Sequence, residues 1–442
     1  MICAFHQLTL INWLFKVDAM MTAYIQTIRS SLLIFMLGIL GLCYSTHSLA
    51  EQEEAAAPIP VSNEPAAATS TAATPPPSPQ ENPSDFLKLG DQAYKAKDFA
   101  KALEWYNKAA SQGNTDAMLK LADSYREGRD MPKNFELATH WLTQAATAGN
   151  AEAQLRLGDA YSIGQDVPKN HKTAVSWYSK AAEQEHALAQ TRLAAAYYLG
   201  QGVTKDLAVA AQWYGEAAEK GDPIAQTALG KAFAQGQGVK KDGAQASRWL
   251  LAAAEQGNPE AQYWLGELYN GGIGVDSDSA RAIEWYQLAA DQDHTLAMLR
   301  LGEAYYTGKG TTQDYATAVQ WLTKVALQGN SEGQTYLGLA YYYGNGTPQS
   351  YGEAMTWFTR AASQGNIQAQ ILLGEMYYYG QGVPQSYEQA YAWIGVAAAR
   401  QSGPQRQHLV RLRDAFAKLL PPQQLTRAQE MALDLSRNQP RQ

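Results

Sequence analysis

Apolar residues recur along this chain in columns spaced 36 residues apart. Tryptophan stands at Trp105, Trp141, Trp177, Trp213, Trp249, Trp285, Trp321, Trp357 and Trp393. An alanine lies three residues before each, from Ala102 to Ala390, and a leucine recurs from Leu121 to Leu373. Within one period Ala153, Leu157 and Tyr161 fall at i, i+4 and i+8, and Ala174, Trp177 and Ala181 line a second helical stripe. Each period therefore predicts two helices. A period this strict marks a solenoid, an elongated array whose units pack only on their neighbours.

The polar positions punctuate the same units. Gly128, Gly164, Gly200, Gly236, Gly272, Gly308, Gly344 and Gly380 follow the first helix, where a positive φ is wanted. Asn134, Asn170, Asp206, Asp242, Asp278, Asp314, Ser350 and Ser386 stand where the second helix needs an N-cap acceptor. Glycine also recurs inside the first helix, at Gly158, Gly230, Gly266, Gly302, Gly338 and Gly374. Glycine there costs about 1 kcal/mol relative to alanine, so its repetition implies close helix approach. The Trp column shares its face with two alanine columns and is expected to be core. On that basis Trp213→Ala should cost about 3–5 kcal/mol.

The period fails at both ends. Residues 1–50 read as an extension plus a cleavable secretory signal: Arg29, the apolar run Leu32–Leu42, then Ser48-Leu49-Ala50. Met20 and Met21 are alternative starts. The run is too short to span a bilayer comfortably, so no stable membrane span is expected after cleavage, and the protein is expected to be periplasmic or secreted. Residues 51–84 hold many Pro, Ala, Thr and Glu and no Lys or Arg, which predicts an extended linker. Residues 85–111 form a shortened first unit, residues 112–399 eight full units, and residues 400–442 a helical cap. In that cap Leu409, Leu412, Phe416 and Leu419 are expected to face the last unit.

Composition narrows the function classes. The formal charge is −7, which disfavours nucleic acid as a partner, although the cap itself carries eight basic against three acidic residues. Cys3 and Cys43 both precede the expected cleavage site, leaving no disulfide and no thiolate for zinc. Neither a metal nor a cofactor is expected. Gly329-Asn330-Ser331-Glu332-Gly333 matches the nucleophile-elbow pattern, but it falls on the cap columns of two helices, without the strand that chemistry requires. The Gly-x-Gly pairs follow helices and lack the third glycine of a dinucleotide site. Asp123, Asp159, Glu267, Glu303 and Glu375 share one column and are expected to be solvated recognition charges.

Leu-Gly-x-x-Tyr, Gly-x-Gly-Val, Ala-x-x-Trp-Tyr and Ala-Ala-x-x-Gly-Asn resemble the SEL-one-like repeat (SLR) family, a branch of the tetratricopeptide repeats. The short first unit resembles an ordinary tetratricopeptide unit. The resemblance implies an all-α, right-handed superhelical solenoid of antiparallel helix hairpins that acts as a non-enzymatic scaffold for proteins or peptides. Its alternatives are an accessory regulator of cell-envelope (peptidoglycan) enzymes and a hydrolase of peptidoglycan or β-lactams. The β-lactam-linked relatives are cysteine-rich, which this chain is not. In tetratricopeptide arrays the first helices line the concave side. Carried over, that geometry exposes the columns of Leu119, Asp123 and Arg126. The candidate partner-binding residues are then Tyr198, Tyr263, Tyr306, Tyr342, Tyr378, Glu267, Glu303 and Glu375, with Tyr305, Tyr341 and Tyr377 filling the core. These would form a groove for an extended segment with apolar and basic side chains.

Overall fold

A computed structural model describes residues 82–128 and 132–438. The expected signal and the linker up to residue 81 lie outside the described residues. The linker's last two residues, Pro83 and Ser84, already belong to the first helix. Among the described residues there are 20 α-helices and no strand. Eighteen of them form nine consecutive pairs, from Pro83–Lys95 with Phe99–Ser111 to Ile367–Tyr379 with Tyr387–Ala399. Each second helix packs on its own first helix and on the first helix of the next pair. The chain is thus an all-α helical repeat solenoid.

The punctuation acts as its chemistry requires. All eight glycines that follow first helices adopt left-handed φ, between 64° and 79°. All eight second-helix N-caps accept a hydrogen bond from a free helix N–H. The second glycine of each Gly-x-Gly has a separate reason. A Cβ on Gly202 would lie 2.3 Å from the carbonyl oxygen of His171, in the second helix of the preceding pair. That glycine lets the loop sit directly on its neighbour's backbone.

The deep core is one residue away from the expected column. Seven of the nine tryptophans are only partly buried, Trp213 among them. The next residue is buried in every pair: Tyr106, Leu142, Tyr178, Tyr214, Leu250, Tyr286, Leu322, Phe358 and Ile394. These side chains lie on the glycine column. A Cβ on Gly158, Gly266 or Gly338 would come within 2.5 Å of the ring of Tyr178, Tyr286 or Phe358. The glycine is therefore the hole that receives the next helix's largest knob. The tryptophans instead sit at the edge of the interface, where several are covered by a cation one turn later, such as Lys180 at 4.1 Å from the Trp177 ring and Lys324 at 4.4 Å from that of Trp321. The Trp213→Ala cost expected from a fully buried site does not apply.

The cap is two helices, Gly403–Ala417 and Pro422–Arg437, and both pack on Tyr387–Ala399. Leu409, Leu412 and Phe416 are buried, and Leu419 is half-buried. No helix among the described residues is long and apolar enough to cross a membrane.

Candidate protein-interaction face

From the second pair onward each first helix is gripped on two sides, by its own second helix and by that of the preceding pair. Its buried arc is correspondingly wide. Leu119, Leu155, Tyr263, Leu299 and Ile371 were expected to be exposed, yet all are at most 9% exposed. What remains open is the stripe through positions 116, 120, 123 and 127 and most of their 36-residue equivalents, which follow one another at i, i+4, i+7 and i+11, with Leu339, Leu372 and Glu375 closing it near the C-terminal end. First helices one unit apart also touch, as Pro223–Gln235 touches Pro259–Gly271.

The candidate tyrosines divide on this frame. Tyr263, Tyr306 and Tyr378 are 6%, 9% and 7% exposed, so they pack within the array rather than line an open groove. Tyr198 is exposed and Tyr342 is half-buried. Their hydroxyls tie one unit to the next. Tyr198 donates to Gln237 at 3.3 Å, Tyr342 donates to Gln381 at 2.6 Å, and Tyr306 accepts from Asn345 at 2.9 Å. Tyr378 instead stacks on Phe416 of the cap, with ring centroids 5.0 Å apart. The position before these tyrosines, Tyr305, Tyr341 and Tyr377, is only partly buried. The expected division between a core tyrosine and an exposed one is thus reversed at Tyr306 and Tyr378. The reason is the second neighbouring helix, which covers the far side of each first helix.

The carboxylate column is not a row of free charges. Asp159 accepts from the Tyr178 hydroxyl at 2.8 Å and from Arg192 of the next unit at 3.1 Å. Glu267 is held in the same way by Tyr286 at 2.5 Å and Arg300 at 3.0 Å. Arg300 also bonds Glu303 at 3.0 Å, where burial raises the carboxyl's pKa and Arg300 partly offsets it. Glu375 is 7% exposed. Glu267, Glu303 and Glu375 are therefore stacking residues in the first instance, each paired or buried where units meet. Asp123 and Arg156 form the more open version of the same link, at 3.0 Å.

A further ladder carries no apolar signature and was missed. Gln154, Gln190, Gln226, Gln262, Gln334 and Gln370 are all buried. Each donates to the carbonyl of an alanine eight residues earlier, as Gln226 does to Ala218 at 3.2 Å. Most receive a bond from the helix end 30 residues later, as Gln226 does from Gln256 at 2.8 Å. The 36-residue recurrence of glutamine beside a core position was the available signal. Gln226→Leu removes its bond to the Ala218 carbonyl, which keeps the Gly221 N–H, and takes from the Gln256 amide its nearest acceptor, and we expect a loss of about 1–3 kcal/mol in urea denaturation. An unchanged midpoint would show the ladder to be idle.

Ser331 sits at the first position of a helix capped by Asn330, so the elbow-like pentapeptide is a helix start. Among the described residues no group of His, Cys, Asp and Glu is arranged to hold a metal ion.

The Sel1-repeat family model matches nine consecutive stretches, at residues 88–114, 115–150, 151–186, 187–222, 223–258, 259–294, 295–330, 331–366 and 367–402. The chain belongs to the Sel1-repeat family. The short first unit, likened above to an ordinary tetratricopeptide unit, is matched as one of the Sel1 repeats. Two solved structures of this family are similar. One is c5321, a protective antigen of uropathogenic Escherichia coli strains displaying an SLR fold, with 29% identity over 80% of this chain and 84% of that one, at a TM-score of 0.56. The other is a Sel1 repeat protein from Oxalobacter formigenes, with 31% identity over 77% of this chain and 98% of that one, at a TM-score of 0.53. No curated protein matches the chain. Sel1-repeat proteins are generally non-enzymatic scaffolds of the kind that binds other proteins.

Proposed function

We propose that this chain is an exported, non-enzymatic Sel1-repeat scaffold that binds a protein or peptide partner along its first helices, on the concave side. One observation carries the choice of face. Exposed large apolar residues on the first helices recur in columns of the open stripe: Ile163, Leu199 and Tyr343 in one, Ile224 and Leu296 in another. On the second helices Phe135, Leu137, Leu251, Leu288 and Leu327 fall in five different columns. Apolar side chains set in a row among ion pairs suit a protein interface, with its apolar centre and polar rim. Tyr198 and Tyr342 border that stripe, while Tyr263, Tyr306, Tyr378 and the three glutamates hold its shape from beneath. The non-enzymatic reading is supported by the commitment of Asp159 and Glu267 to a tyrosine and an arginine each.

The test is a paired set of surface variants in the full chain. Ile163→Lys, Leu199→Lys and Ile224→Lys together should remove the partner from pull-downs of envelope extract. Leu251→Lys, Leu288→Lys and Leu327→Lys together should retain it. The converse result would move the interface to the second helices. Export has its own check, the intact mass of the native protein. We expect a chain beginning at Glu51, and a species that keeps Met1 or Met20 would remove export from the proposal.

A further inference from the structure

Of the four pairs that carry a tyrosine at the knob position, Tyr106, Tyr178, Tyr214 and Tyr286, one lacks the carboxylate that holds the hydroxyl in the other three. Gly90-Asp91, Gly158-Asp159 and Gly266-Glu267 each supply a hole for a tyrosine ring and a carboxylate for its hydroxyl. The corresponding pair in helix Ala187–Leu199 is Ala194-Ala195. In the next unit Ala228 stands where Arg192 and Arg300 stand in theirs. The tyrosine itself is kept, as Tyr214. It cannot seat as the others do, because Ala194 carries the Cβ that those rings exclude. Among the described residues its hydroxyl has no hydrogen-bond partner. Burial pushes its pKa up to about 12, so it remains a neutral donor near neutral pH.

Beside Tyr214 lies a cavity of about 430 Å³. That size falls within the range of roughly 300–1,000 Å³ usual for binding pockets. Its walls are mostly apolar and include Leu207, Ala211, Ile224 and Ala228, with Tyr198 at the edge. It opens to solvent beside Tyr198 and Ile224, which are 39% and 51% exposed. Most other polar groups of the lining are engaged, and the Gln237 amide oxygen accepts from Tyr198 at 3.3 Å. Thr227 donates to the carbonyl of Pro223 at 2.6 Å, and Asn258 caps its own helix. Lys231 and Glu260 neutralise each other at 2.7 Å, and Glu260 is further held by Trp264 and His294. A charged occupant would meet no balancing charge. An uncharged apolar one with a hydrogen-bond acceptor would match the apolar walls and engage the Tyr214 hydroxyl.

We propose that this cavity is an anchor site of the binding face. It takes one large uncharged apolar side chain, leucine, methionine or phenylalanine, from a segment of a partner protein, and Tyr214 donates to a main-chain carbonyl of that segment. The proposal rests on the reading of the first helices as a protein-binding face.

The test uses the full chain on an array of decapeptides that differ at one central position. Leucine, methionine and phenylalanine there should bind better than alanine, glutamate and lysine. The triple variant Ala194→Gly, Ala195→Asp, Ala228→Arg rebuilds the link that Asp159 makes with Tyr178 and Arg192 and fills the cavity. It should lose this preference without melting at a lower temperature than the native protein. Tyr214→Phe should keep the preference and weaken binding roughly fivefold, the size of one neutral hydrogen bond. Binding that the filled variant leaves unchanged would overturn the anchor site while leaving the binding face standing. Absence of any peptide binding would overturn both. Self-association of the full chain that the filled variant abolishes would assign the cavity to a second copy and likewise overturn the proposal.

Discussion

Phe358→Ala is expected to cost about 3–5 kcal/mol, the range for deleting a fully buried aromatic ring. Phe358 is 0% exposed and fills the hole over Gly338. No neighbouring side chain can close that hole without moving a helix. Trp321→Ala should cost clearly less, although tryptophan is the larger residue, because Trp321 is only partly buried and Lys324 already covers it from the solvent side. Stability in a repeat array is local and passes mainly between neighbours. The loss should therefore concentrate between about residues 331 and 399, where hydrogen exchange should speed up most. A greater loss for Trp321→Ala than for Phe358→Ala would show that the tryptophan column is the deep core after all.

Gly266→Val is expected to be the other severe change. The Cβ of any residue at 266 lies 2.5 Å from the Tyr286 ring, and the Tyr286 hydroxyl is pinned on Glu267. Overpacking of this kind costs about 1–3 kcal/mol and sometimes more, and with the ring tethered at its far end we expect the upper part of that range. Helix propensity runs the other way, since a helical glycine is about 1 kcal/mol worse than alanine. Gly266→Ala should therefore fall between Gly266→Val and the native protein. The chain contains its own remedy, for the same two columns hold Ala122 and Leu142 in an earlier unit. Gly266→Ala combined with Tyr286→Leu should recover part of the loss of Gly266→Ala alone, a coupling that a double-mutant cycle reads directly. Strict additivity of the two changes would contradict the knob-and-hole pairing.

The parts of the fold written in single residues were legible from the sequence. A glycine after a helix and an Asn, Asp or Ser before one each have a local physical reason, and Gly164 and Asn170 take the conformations those reasons dictate. The cap was legible for the same cause, since Leu409, Leu412 and Phe416 make a helical stripe with no rival reading. The depth of burial was harder to read. A stripe through Leu121 and Tyr125 suits a helix packed on one partner, whereas each first helix here is packed between two. That is why Leu155 and Tyr263 are buried on the side taken to be open. Tryptophan misled through its size: Trp177 offers a large apolar surface, but its position at the rim lets Lys180 lie over the ring. The glutamates misled through their charge. Glu267 reads as a surface acid until Tyr286 and Arg300 are seen to close on it from two units. The Ala194-Ala195 and Ala228 substitutions were visible in the sequence, but their meaning depends on Asp159 and Arg192 being partners across units, which spacing alone does not establish.

The central claim is that a protein partner is held along the first helices. The most direct measurement places a photocrosslinking amino acid at Ile224 of the full chain, and in a separate preparation at Leu288, a similarly exposed site on a second helix. Each preparation is irradiated in envelope extract. We expect a discrete crosslinked protein from position 224, its yield reduced by Ile163→Lys with Leu199→Lys, and none from position 288. A discrete product from position 288 with none from position 224 would contradict that claim.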